Sequence, residues 1–196
     1  MSPQTFIFIG RSGCGKGTQA ELLKKIILEK NPNSEIFYLE TGKNFREFVA
    51  GESYSSKLAN EIYKEGKRQP DFLAVHMWAH ILIRDFKGTE HAFFDGITRS
   101  LPEAMTFTTA LDFYNRTADV IYINVSRKWS EDRLAARGRD DDKTKEDIDK
   151  RLDWFDKDTY PAIEYFQVHS RYRLHEVNGE QSIEDVHTEI LSKLTL

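Results

Sequence analysis

Gly10-Arg-Ser-Gly-Cys-Gly-Lys-Gly-Thr18 is the stretch from which the rest of the chain can be read. It has a glycine, four residues, a second glycine and a lysine, the order that builds a phosphate-binding loop. Glycines let successive backbone N–H groups turn inward onto a phosphate, and a helix that follows adds the positive end of its dipole. Lys16 supplies a full positive charge for the outer phosphates, and Gly17 occupies the position where the pattern has Ser or Thr. Thr18, next in the chain, is the candidate hydroxyl for a phosphate-bound magnesium ion. Cys14 is a small loop residue without chemistry of its own.

The flanks of the loop agree with this reading. Residues 5–9, Thr-Phe-Ile-Phe-Ile, form a short β-branched and aromatic run, and residues 16–30 carry a helical pattern, so the order is strand, loop, helix. Further buried strands are expected at residues 35–39, 91–94, 120–125 and 172–177. Helical or loop sequence separates them, an alternation that implies a parallel sheet with helices on both faces. Right-handed crossovers then bring the strand C-terminal ends to one edge, where ligands bind. Residues 41–70 are polar and helical and read as an inserted arm, and residues 137–145 are a dense charge run between two helices. No repeat, low-complexity tract or long linker interrupts the 196 residues, so one domain is expected.

Composition narrows the function. A formal net charge of -4 argues against a general nucleic-acid surface, which needs a positive face. The single cysteine, Cys14, excludes an internal disulfide and a zinc site built of cysteines. Residues 6–9 are too few to cross a membrane and carry no basic leader, so a cytoplasmic protein without membrane or nucleic-acid partners is expected. His76 and His80 stand four apart on an expected helix, but with no third ligand nearby they read as ordinary helix residues. Trp78, Trp129 and Trp154 read as core or rim aromatics.

The run Gly13-Cys-Gly-Lys-Gly-Thr-Gln19 resembles the opening of adenylate kinases and related nucleoside monophosphate kinases, and no NKxD or LSGGQ signature points to GTPases or transporter ATPases. The resemblance continues in order at Thr41-Gly-Lys-Asn-Phe-Arg46, Gly66-Lys-Arg-Gln-Pro-Asp71, Asp95-Gly-Ile-Thr-Arg-Ser-Leu-Pro-Glu103, Arg133-Leu-Ala-Ala-Arg-Gly-Arg-Asp-Asp-Asp142, Arg151-Leu and Thr159-Tyr-Pro. It implies an α/β three-layer fold with a five-stranded parallel sheet. The implied core is residues 1–40, 71–136 and 146–196, with a monophosphate-binding arm at 41–70 and a short lid at 137–145. It also implies a monomer acting on small nucleotides, with Mg2+ accompanying ATP.

By the same resemblance Gly13, Cys14, Gly15, Lys16, Gly17, Thr18, Arg133, Arg137 and Gly179 serve ATP, while Thr41, Gly42, Arg46, Gly96, Arg99 and Glu103 serve the acceptor monophosphate. Lys16, Arg99, Arg139 and Arg151 are the catalytic candidates. Moving a phosphoryl group needs alignment and neutralised charge more than covalent help, and arginine's planar, permanently charged fork suits that task. Asp95 is implied as a carboxylate reaching magnesium through water, and Asp141 and Asp142 as partners orienting Arg137 and Arg139. Capping of a solvated helix start is the other reading of those aspartates.

Three positions depart from the family pattern. Many adenylate kinases have Pro at the position of Thr98, Asp at that of Lys43, and a base-reading Gln at that of Glu103. A glutamine amide can donate to and accept from the adenine edge, whereas an ionised carboxylate only accepts. Two guanine donors, N1–H and N2–H, would match that carboxylate, while a protonated or displaced Glu103 restores AMP. ATP-dependent phosphorylation of AMP is the leading expectation, with GMP, CMP or UMP as acceptor, or a non-catalytic nucleotide-binding regulator, as alternatives.

Overall fold

The computed structural model describes residues 2–138 and 144–196; Arg139, Asp141 and Asp142 lie outside them. Five strands, β1 (Thr5–Ile9), β2 (Ile36–Glu40), β3 (His91–Asp95), β4 (Ala118–Asn124) and β5 (Tyr172–Asn178), form one sheet in the order β2-β3-β1-β4-β5. Every pairing is parallel. β1 lies at the centre with all five residues buried, as a strand covered on both faces requires.

Alternation along β1 divides the core. Ile7 and Ile9 face a layer made with Trp78, Leu82, Phe107 and Phe166 of helices α4 (Asp71–Asp85), α5 (Leu101–Phe113) and α8 (Tyr160–Val168). Phe6 and Phe8 face Ala20, Leu23 and Ile27 of α1 (Lys16–Lys30) and Val186 and Ile190 of α9 (Ile183–Lys193). Between β2 and α4 the helices α2 (Thr41–Val49) and α3 (Tyr54–Lys64) make a small cluster of their own, Val49 and Ala59 with Leu73. The helices α6 (Arg127–Arg137) and α7 (Lys145–Trp154) flank the charge run, and a π-helical turn (Phe155–Thr159) joins α7 to α8.

Local chemistry sets the helix starts. Ser53, Ser100, Ser126 and Ser182 each accept the backbone N–H three residues on, and Thr144 and Asp147 form a reciprocal capping box. Strand limits agree with the sequence within one residue for β1, β2, β3 and β5. β4 starts two residues before the expected 120, because the polar Asp119 is held inside the strand rather than ending it. Arg173 donates to both Asp119 carboxylate oxygens at 2.8 and 2.6 Å, and His175 lies 2.7 Å from Oδ1.

Burial pushes the Asp119 carboxyl up, but the hydrogen bonds from Arg173 and His175 outweigh it and leave the group below the usual carboxylate range. A carboxyl lowered on folding stabilises the fold above its unfolded value, and that contribution disappears as pH falls through the folded one. Asp119→Asn is therefore expected to lower the urea midpoint at pH 7, by an amount equivalent to about 1–3 kcal/mol for lost charged hydrogen bonds. It should also flatten the loss of stability below about pH 4, where an ordinary Asp titrates; urea titrations across pH 2–7 check both, the range being roughly that of carboxyl titration.

Candidate functional site

The strand ends gather the loops onto one edge, where a cleft of about 1010 Å³ opens between the turn after β1, the turn after β3, and helices α2, α6 and α7. The loop after β1 is shaped by Gly13 and Gly15, whose φ values of 87° and 96° lie in the left-handed region that glycine alone enters without strain. α1 starts at Lys16 with no side chain capping it, so its first N–H groups remain directed at the loop. Lys16 Nζ folds back, donating to the carbonyl oxygens of Gly10 at 2.7 Å and Arg11 at 3.1 Å.

Opposite the loop, β3 ends in Asp95, 8% exposed and beside Lys16 and Arg99. Its Oδ2 lies 3.4 Å from where a Cβ on Gly17 would stand, and Tyr38 Oη comes within 3.4 Å of the same oxygen. Burial raises the Asp95 carboxyl above its ordinary value, more than the nearby cations of Lys16 and Arg99 lower it. Burial together with Asp95 pushes the Tyr38 hydroxyl up as well.

The turn after β3 crosses the start of α2. Thr41 Oγ1 donates to the Gly96 carbonyl oxygen at 2.5 Å, and Arg99 Nε donates to the same oxygen at 2.7 Å. Gly96, with φ 78°, holds a conformation strained for other residues, and a Cβ there would meet Arg99 Nη2 at 2.6 Å and displace it. Arg46 Nη2 lies 3.6 Å from Glu40 Oε1, and Arg46 and Arg151 are each close enough to Arg99 for the like charges to oppose. Such a cluster of cations at a cleft wall is suited to an anion. Thr98, buried and β-branched, has φ 56°, a conformation closed to proline, whose ring fixes φ near about −65°. The loop beside Arg99 thus takes a different course from one with Pro at this position.

Glu103, 1% exposed, sits in the first turn of α5 at the cleft wall. Its Oε2 accepts the Arg99 backbone N–H at 2.7 Å. Burial raises the Glu103 carboxyl above the ordinary range, although that hydrogen bond and the charges of Arg99 and Arg68 work against it.

Of the residues singled out from the sequence, Gly13, Gly15, Lys16, Gly17, Thr18, Thr41, Gly42, Arg46, Asp95, Gly96, Arg99, Glu103, Arg133, Arg137 and Arg151 all line this cleft. Cys14 and Gly179 stand behind it. Cys14 is buried against the α1 side of the core. Gly179 donates its N–H to the Asn124 carbonyl oxygen at 2.8 Å and presses on β4 and the residue after it, where a Cβ would meet Val125 at 2.5 Å. Arg139 lies outside the described residues. His76 and His80 are exposed on α4 with rings stacked at 5.8 Å, and no group of three or more metal-ligating side chains occurs among the described residues. Tyr38, Tyr63, Arg68, Gln69 and Thr159 also line the cleft; Arg68, Gln69 and Thr159 stand in the quoted motifs without an assigned role, and Tyr38 and Tyr63 carry no motif signal.

A family model described as Adenylate kinase matches residues 8–171. An adenylate kinase of Porphyromonas gingivalis (strain ATCC BAA-308 / W83) is 30% identical over 185 residues, spanning 92% of this chain and 90% of that protein. One from Prochlorococcus marinus (strain AS9601) is 29% identical, spanning 96% of this chain and 97% of that protein. Human adenylate kinase isoenzyme 5 is 29% identical over 95% of this chain and 32% of its own length.

The buried Asp95 provides a test independent of catalysis. A carboxyl raised by folding costs stability once it ionises, so stability falls as pH rises from its unfolded value to its folded one. Asp95→Asn is expected to raise the Tm of the nucleotide-free protein at pH 7, with the gain shrinking in acid; scanning calorimetry at the two pH values checks it.

Proposed function

This chain belongs to the adenylate kinase family, and we propose from that premise that it moves the γ-phosphoryl group of ATP to AMP, yielding two ADP. The observation that carries the reading is the single cleft in which Lys16 and the loop amides face Arg46 and Arg99. A phosphate held on each side would be brought into line, with its charge balanced by arginines of fixed geometry.

In this reading Lys16 leaves the loop carbonyls for the outer phosphates of ATP, and Arg133, Arg137 and Arg151 hold the donor. Arg139 is assigned to the donor side by the family resemblance alone. Thr41, Gly42, Arg46 and Arg99 hold the acceptor phosphate, whose oxygen is already anionic and needs no general base. Residues 41–70 act as the arm over the acceptor and 137–145 as a short lid over the donor, excluding water as they close.

The residues present also suit Mg2+. Asp95 faces the loop across Gly17, and its costly burial as an anion is the condition a cation relieves. One carboxylate, with no acidic cluster able to hold a metal among the described residues, matches an ion that retains several waters. Asp95, through water, and Thr18 would hold it; when bound, it neutralises and aligns phosphate oxygens. We further assign the protein to the cytoplasm as a monomer working on small nucleotides. No helix among the described residues is long and apolar enough to cross a membrane.

The raised pKa of Glu103 favours AMP, since a protonated carboxyl can both donate and accept, as the adenine N1 and N6–H edge requires. AMP should then bind less well as pH rises and Glu103 ionises, and Glu103→Gln should remove the dependence. A coupled assay with AMP, GMP, CMP, UMP and dTMP decides the acceptor, and no turnover with AMP beside turnover with another base would overturn the assignment. Lys16→Met is expected to abolish transfer with the fold intact. Arg99→Ala should raise the acceptor KM about 10- to 100-fold, the loss of a charged hydrogen bond, and change that for ATP far less.

A further inference from the structure

The two halves of the cleft are joined by a short segment whose ends, Phe155 and Thr159, line it. The π-helical turn Phe155–Thr159 accommodates one more residue per turn than the helices around it, which rotates the side chains beyond it about the axis. Such turns are rare, and this one has polar side chains directed at both sides of the cleft.

On the donor side, Arg11 Nη2 donates to Asp156 Oδ1 at 2.5 Å and Nη1 to the Val125 carbonyl oxygen at 2.8 Å, and the guanidinium lies 4.6 Å above the Phe155 ring. Arg11 is the first residue after Gly10, and its own carbonyl oxygen is one of the two that Lys16 holds. One helical turn before, Arg151 Nη2 comes within 3.4 Å of Ser12 Oγ in the same loop. On the acceptor side, Thr159 Oγ1 donates to the Arg99 carbonyl oxygen at 2.9 Å. Between them Asp158 Oδ2 lies 3.3 Å from Arg68 Nε, and Arg68 also pairs with Asp71 at 2.7 Å. Arg127 Nη1 stands 3.6 Å from Asp156 Oδ2, a second cation facing that carboxylate.

We propose that the π-turn Phe155–Thr159 is a positioning element that fixes the separation between the donor loop and the acceptor arginine, with Asp156 acting through Arg11 and Thr159 through the Arg99 carbonyl. The inference rests on the phosphoryl-transfer reading above. In-line transfer is intolerant of spacing errors, since about 1 Å of misplacement can cost 10²-fold in rate. Partly exposed ion pairs contribute little to folding, so losing the Arg11–Asp156 pair should register in alignment rather than in stability.

The test uses Asp156→Asn, Arg11→Gln and Thr159→Val in the full chain, with affinity for a non-hydrolysable ATP analogue, affinity for AMP, kcat and Tm measured for each. Asp156→Asn and Arg11→Gln are expected to weaken the ATP analogue about 5- to 10-fold while AMP stays within about 2-fold, and Thr159→Val to do the reverse; kcat should fall at least about 10-fold in all three. The Arg11→Gln/Asp156→Asn double variant should lose no more than the worse single one, as expected of one coupled pair. Asp156→Glu should recover part of the loss.

Additive losses in the double variant would overturn the proposal. So would equal effects on both nucleotides, or a fall in Tm with unchanged affinities in the folded protein. Absence of turnover by the unaltered enzyme with every acceptor would instead refute phosphoryl transfer, while the binding measurements would still decide whether Asp156 and Thr159 shape the two subsites separately.

Discussion

At the end of β1 the backbone passes β4 so closely that a Cβ on Gly10 would stand 2.6 Å from the Ile123 carbonyl oxygen and 2.7 Å from Cys14 Sγ. A side chain there would have to push the turn off the sheet edge. The contact lets the loop double back tightly enough to aim its amides and the uncapped start of α1 at one point. Strand pairing then fixes the opposite wall, because the β1–β3 register sets Phe8 beside Asp95. Both walls of the cleft are thus referred to the same buried strand.

The sheet edge also concentrates charge that the fold alone would not favour. Asp95 and Glu103 are carboxyls raised by burial, and Arg99 meets the like charges of Arg46 and Arg151. Each would be more comfortable in water. A phosphate relieves the arginines, and a cation or a proton relieves the carboxyls. Residual frustration of this kind at one edge, against a core of close-packed Phe, Ile and Trp on both sheet faces, is how a site differs from a scaffold.

How much of this the sequence disclosed follows from the range of the interactions. β1 is legible because five consecutive apolar residues before glycines leave few alternatives, and α1 because its pattern starts at the lysine. β4 is less so, since Asp119 reads as a strand breaker until Arg173 and His175 on the neighbouring strand are known to hold it. The residues of the cleft wall that belong to quoted motifs were visible, and the fold brings them together. Invisible were the pairings of Arg68 with Asp158, Thr159 with the Arg99 carbonyl and Arg11 with Asp156, which join residues far apart in the chain, and the π-turn, which has no local signature. Thr98 is a further case: its positive φ is imposed by the path of the loop and would not be inferred from a β-branched residue.

One feature of the loop bears on how it discriminates. With Lys16 Nζ anchored to the Gly10 and Arg11 carbonyls, the loop already contains an occupant of its own. An incoming anion competes against that internal tether, and only one with enough oxygens to engage the amides and recruit the lysine together gains by displacing it. The latch therefore sets a threshold that an anion entering the loop has to overcome.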